Sequence, residues 1–132
     1  MTLLDTHVLI WSRFEESRLG RQCRERIAWA LRADKLAVSA FSFWEVALLH
    51  EKGRMALLGD VGAWRARLLD AGLQEVPVDG EIAVRASALQ DFHADPADRI
   101  IVATALGGHR LVTADRRILG WNGSLDRQDA RT

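Results

Sequence analysis

DPADRIIVATALGGHRLVTAD, residues 95–115, reads as a helix, a turn and a strand in immediate succession. Asp95 is a capping acid, Pro96 takes the first helical position, where its missing N–H costs nothing, and Asp98 puts negative charge in the first turn. The run IIVATAL carries the helix to Gly107 and Gly108, which stop it. His109 to Asp115 (HRLVTAD) follows as a strand, apolar in the middle and closed by an acid. A helix feeding a buried strand is half of a βαβ crossover, and the same alternation recurs upstream.

At the start of the chain TLLDTHVLI, residues 2–10, is an apolar run broken by Asp5, too short for a free-standing helix and suited to a buried first strand and the turn after it. Residues 17–33 show the apolar spacing of an amphipathic helix, and Leu36 to Val38 a second strand. Ser39 and Ser42 precede a further helix, Phe43 to Glu51, ended by Gly53. Residues 60–71 read as helix, Leu73 to Val78 as a strand with Pro77 suited to its end, and Asp79 to Leu89 as helix. Arg116 to Leu119 is a short helical turn. The polar stretch after Gly120 leaves room for an edge strand around Leu125, with roughly the last ten residues a loosely ordered tail. The alternation predicts an α/β protein: one three-layer α/β/α domain over residues 1–132, with a central, mostly parallel sheet of four or five strands and right-handed crossovers.

Composition narrows the function classes. The 18 basic and 18 acidic residues cancel, so the whole molecule lacks the positive field of a protein that coats nucleic acid. All but Lys35 and Lys52 of the basic residues are arginines, whose planar fork matches phosphate oxygens. Cys23 is the single cysteine, which excludes an internal disulfide framework and a thiolate metal cage and suits a reducing cytoplasm. No apolar run reaches the ~18 to 20 residues needed to span a bilayer, and no basic leader opens the chain, so neither membrane insertion nor export is expected.

In a parallel sheet the carboxyl ends of the strands share one edge, and ligands bind beyond it. Asp5 and Asp115 lie toward the ends of the first and fourth strands. Glu45 and Asp98, each expected in the first turn of a helix, are delivered to the same side, because helix N-termini lie at that edge too. Gathering four carboxylates without a counter-ion is costly. An all-oxygen set favours Mg2+ or Mn2+ over Zn2+, and such an ion can orient a phosphodiester and activate water. Each acid also has an ordinary structural reading: Ser42-x-x-Glu45 matches a capping box, and Asp95, Asp98 and Asp115 suit helix starts. Asp5, inside an apolar run, is the hardest to explain without function.

The stretches LLDTHVLIW (3–11), SAFSFWEVALLHEKGRM (39–55), DPADRIIVATAL (95–106) and LVTADRRIL (111–119) resemble, in order and spacing, the successive motifs of PIN-domain proteins, and more narrowly the VapC toxins of bacterial toxin–antitoxin pairs. The resemblance spans residues 2 to about 119 and departs from the pattern at Ala94, Ala97 and the polar end. It implies a Mg2+- or Mn2+-dependent endoribonuclease, with Asp5, Glu45, Asp98 and Asp115 as its acidic quartet. It also implies a homodimer held inactive by a small antitoxin, and a structured RNA such as tRNA or rRNA as substrate. In that reading Asp5, Asp98 and Asp115 hold the metal and Glu45 positions the attacking water.

Supporting roles fall to Thr6, His7, Ser42, Asp95, Arg99 and Thr113. His7 is placed to touch a phosphate, Arg99 and Arg116 to steady carboxylates, and Ser42 and Thr113 to orient acids or waters. Trp11, Trp29, Trp44 and Trp64 are expected in core or subunit packing. Two other readings compete. Phosphatases of the haloacid dehalogenase type also begin with an aspartate after the first strand, but pair it with an acid two residues on, where this chain has His7. A solitary PIN-domain nuclease, or a module that binds RNA or protein without cutting, would share the fold; loss of acids marks the non-cutting kind, and all four are present.

Overall fold

The computed structural model describes residues 1–57 and 59–132. Five strands form one wholly parallel sheet: β1 (Thr2–Leu4), β2 (Leu36–Ser39), β3 (Gln74–Val76), β4 (Arg110–Thr113) and β5 (Arg127–Asp129), in the order β3-β2-β1-β4-β5. Helices α1 (Thr6–Phe14), α2 (Arg21–Arg32), α3 (Ala40–Glu51), α4 (Val61–Asp70), α5 (Gly80–Ser87), α6 (Pro96–Ala105) and α7 (Arg116–Leu119) connect them, with a 3-10 turn at Glu16–Arg18 before α2. The chain has the expected three-layer α/β form.

The central strand shows how the layers are filled. Successive side chains on a strand point to opposite faces, so Leu4 enters a cluster with Val38, Val112, Val8 and Cys23 while Leu3 enters one with Ile101, Val102 and Leu111. Burial on both faces is why these strands read as apolar runs. Cys23 is buried, its thiol pushed up to about 11 chiefly by burial, so it is chemically quiet.

Several boundaries differ from the sequence reading. The run 2–10 is a strand of three residues followed at once by α1, because the Asp5 side chain accepts the Thr6 N–H and caps a helix there. Helix α3 begins at Ala40, not Phe43, capped by Ser39, whose Oγ accepts the Phe41 N–H. Ser42 is therefore inside the helix and buried, the capping-box reading of Ser42-x-x-Glu45 falls, and Glu45 sits in the second turn instead of the first. The last strand lies at 127–129, beyond Leu125, and the final residues are tied to the body: Gly20 N–H donates to Ala130 O and Gln22 N–H to Thr132 O. Trp64 packs in the core against Phe43 and Phe14, and Trp11 is half-buried. Trp29 and Trp44 are 52% and 55% exposed on the outer faces of α2 and α3, which takes them out of the core and leaves subunit packing as their expected role. Among the described residues no helix is long and apolar enough to cross a membrane.

Candidate active site

Asp5 follows directly on β1, at the cap of α1, and is 3% exposed. A buried carboxylate needs partners. Its Oδ1 accepts the Thr6 N–H at 2.8 Å and its Oδ2 the Thr113 hydroxyl at 2.7 Å, a bond from the neighbouring strand β4. Thr113 Oγ1 in turn accepts the Asp115 N–H at 3.0 Å, so Thr113 joins the two acids as a positioning group. His7 is a latch between α1 and the end of β4: its Nε2 accepts the Ala114 N–H at 2.9 Å, and its Nδ1 stands 3.6 Å from Asp5 Oδ2. That bond occupies one ring nitrogen, and His7 still lines a cleft together with Asp5, Thr6 and Glu45.

Thr6 Oγ1 lies 2.5 Å from Glu45 Oε1 and 2.8 Å from Ser42 Oγ. A hydroxyl has one proton to give, so Thr6 donates to the carboxylate and accepts from the serine. The Glu45 carboxyl is pushed up to about 7 by burial, opposed by the Thr6 bond and reinforced by the charges of Asp5, Asp98 and Asp95.

Asp98 stands in the first turn of α6, which Asp95 caps by accepting the Ala97 and Asp98 N–H groups. Its Oδ2 meets His93 Nε2 at 2.6 Å and Arg117 Nη2 at 3.3 Å. Burial raises its pKa, the His93 bond opposes the rise, and the charges of Asp5, Asp95 and Asp115 add to it. Asp115 caps α7, accepting the Arg117 and Ile118 N–H groups, and its Oδ2 is 3.3 Å from the same Arg117 Nη2. Burial works to raise the Asp115 pKa, but the bonds from Arg117 and the two backbone groups outweigh it and hold the carboxyl below its ordinary value.

A cleft of about 480 Å³ opens over these groups. Asp5, Thr6, Glu45, Asp95 and Asp98 line it, Phe41, Trp44 and Leu48 form an apolar wall, and Lys52 and Arg54 stand among its lining residues. Three of the four predicted acids share the cleft. Asp115 does not line it and is joined to the group through Arg117 and Thr113.

Arg99 is not a carboxylate holder. It donates to the carbonyl oxygens of Ala86, Ser87, Leu89, Phe92 and His93, clamping the segment that leads into α6. Arg116 is exposed and, among the described residues, makes no ion pair with the acids. Its neighbour Arg117 does. Arg117 and His93 are the groups that sequence reasoning missed. Two positions past a capping acid a guanidinium can fold back on that acid, which was a usable signal for Arg117; His93, in an irregular stretch, had none.

The donor set suits a hard divalent cation: it is all oxygen, and the pKa values of Glu45 and Asp98 are raised chiefly by burial and further by the neighbouring acids, a strain that a bound cation would relieve. Among the described residues, however, no three His, Cys, Asp or Glu side chains stand together as a ready-made cage. The acids are engaged instead with Thr6, His93, Thr113 and Arg117.

The sequence profile of the PIN domain matches residues 2–120. Ribonuclease VapC22 of Mycobacterium tuberculosis (strain ATCC 25618 / H37Rv) is 42% identical over 118 residues, covering 88% of each chain. Among solved structures, a toxin-antitoxin complex from Klebsiella pneumoniae matches with a TM-score of 0.65 at 24% identity over 98% of both chains. DNA-bound VapBC from Salmonella typhimurium matches with 0.69 at 18% identity, covering 97% of this chain and 96% of that one. At those identities the structural likeness is one of fold.

Proposed function

The chain belongs to the PIN-domain family, and from that premise we propose that it is an endoribonuclease of the VapC toxin class, hydrolysing RNA phosphodiester bonds with the help of a divalent metal ion. The observation that carries the reading is the meeting of Asp5, Glu45 and Asp98, distant in sequence, in one cleft beyond the carboxyl end of β1. Identity to a ribonuclease over most of the chain supports the activity, and the toxin–antitoxin complexes among the structural neighbours support a small antitoxin as partner. We further assign a structured RNA, such as tRNA or rRNA, as substrate and a second copy of the chain as subunit partner. The exposed Trp44 beside the cleft offers apolar surface for such partners to cover.

In this mechanism Asp5, Asp98 and Asp115 would hold Mg2+ or Mn2+, which when bound lowers the pKa of water and offsets charge on the phosphoryl oxygens. The protein's own groups do the rest. Thr6 and Thr113 fix the orientation of Glu45 and Asp5. Glu45 aligns the attacking water and takes up its proton, a task suited to a carboxyl whose pKa lies near neutrality. Lys52 and Arg54, which line the cleft, supply positive charge for the phosphates of the RNA backbone.

The test is cleavage of total RNA by the purified protein with Mg2+ or Mn2+, then with a chelator. Cleavage that requires the ion is expected, with Asp5→Asn and Asp98→Asn each losing about a hundredfold or more while remaining folded. If both variants cut as fast as the parent, the site assignment is wrong. If no cleavage occurs at all, the chain is a non-cutting module on the same fold.

A further inference from the structure

We infer that Arg117 is the built-in counter-cation of the acid site, a positioning residue that holds Asp98 and Asp115 together while no metal is bound and must release them before a divalent ion can take those oxygens. The inference rests on the metal-dependent reading above.

One nitrogen, Arg117 Nη2, stands 3.3 Å from Oδ2 of Asp98 and 3.3 Å from Oδ2 of Asp115. These carboxylates come from different elements, α6 and α7, and both lie within electrostatic reach of each other. Like charges so placed repel, and a cation between them removes the cost. The guanidinium therefore already does for two of the proposed ligands what a metal ion would do.

The hold is built to be broken. The Arg117 side chain is 59% exposed, and it bridges the acids through a single nitrogen and not through the paired fork that makes arginine–carboxylate contacts strong. Exposed ion pairs of this kind are weak. Arg99 shows the contrast, since bonds to five carbonyl oxygens leave it no freedom to move. Arg117 also borders a separate cavity of about 310 Å³, lined with His93, Trp121 and Asn122, so the released guanidinium has space to move into. His93 meets the same Asp98 oxygen at 2.6 Å and is 19% exposed, so Asp98 does not depend on Arg117 alone for its position in the metal-free protein.

The experiment is calorimetric titration of the metal-stripped full chain with Mn2+, for the parent, Arg117→Gln and, as a control that removes the same charge one residue away from an exposed side chain, Arg116→Gln. Arg117→Gln is expected to bind Mn2+ roughly three- to tenfold more tightly than the parent, the size expected for losing two exposed pairs, while Arg116→Gln stays close to the parent. Metal-free Arg117→Gln should also melt below the metal-free parent, with Mn2+ closing the gap. Equal Mn2+ affinity in the parent and Arg117→Gln overturns the inference and leaves the metal reading standing; so does an equal gain in both variants, which would reduce the effect to bulk charge. Absence of Mn2+ binding in every protein overturns the metal reading and this inference with it.

Discussion

Glu45 is the acid of the site whose pKa is raised furthest, chiefly by its own burial. Its pKa rises from 4.5 to about 7, first through burial and then through Asp5, Asp98 and Asp95, with only the Thr6 hydrogen bond working the other way. A folded-state value above the unfolded one means that the folded protein keeps this proton the longer. The contribution to stability is therefore full below about pH 4.5 and is lost as pH rises through about 7. In the metal-free protein, Glu45→Gln should gain on the parent over that range: the difference in Tm, variant minus parent, is expected to be larger at about pH 8 than at about pH 5. Thermal melts at the two pH values decide it, and a difference that does not change with pH rules the account out. Asp5 carries a different lesson at the same scale. Its apolar surroundings marked it as unusual, yet part of the explanation is structural, because it caps α1 while its second oxygen serves the site.

Elements show where periodicity is informative and where it is blind. Helix α6 was legible because its cap, its proline and its closing glycines are local chemistry. Helix α1 was not, because HVLI satisfies a strand and a helix alike and only the Asp5 cap separates them. At the start of α3 two serines competed for one cap, and burial of Ser42 against Thr6 settled the choice for Ser39. The segment before α6 has no regular structure of its own and depends on Arg99. Arg99→Ala is expected to cost about 2–4 kcal/mol of unfolding free energy, since several charge-assisted bonds go at once. Arg99→Lys should recover little of it, because one ammonium cannot reach carbonyls arranged for a planar fork. Urea denaturation measures both, and a loss below about 1 kcal/mol for the alanine variant would show that the segment holds itself.

For the molecule as a whole, the C-terminal residues close the sheet. The matched PIN profile stops at residue 120, and the twelve residues beyond it are polar, so the sequence suggested no more than an edge strand around Leu125 and a loosely ordered tail. Instead β5 pairs with β4, Ala130 is fully buried, and Arg131 donates to Ala114 O at the end of β4. Arg127 donates to the carbonyl oxygens of Ile118 and Trp121, which fixes the chain leaving α7 and with it the helix that Asp115 caps. A Cβ on Gly20 would run into the backbone of Arg131 and Thr132, so the end of the chain fits only against a glycine. Truncation after Asp126 is expected to lower Tm by about 5 °C or more, and Gly20→Ala to act in the same direction. Melts that match the parent's would show the last strand to be dispensable.

By itself, the sequence determined the α/β class, the order of the strands and of the helices other than α1, and the acids near the strand and helix ends, because caps, breakers and apolar spacing are written within a few residues of where they act. Only the tertiary structure decided that three acids share a cleft while Asp115 stands aside, that Arg117 and not Arg116 joins it to Asp98, that Arg99 serves the backbone, and that the polar end forms a strand. These outcomes depend on which surfaces meet across long stretches of chain, and charge and hydrogen bonding act on that distance in space, to which spacing along the sequence is indifferent.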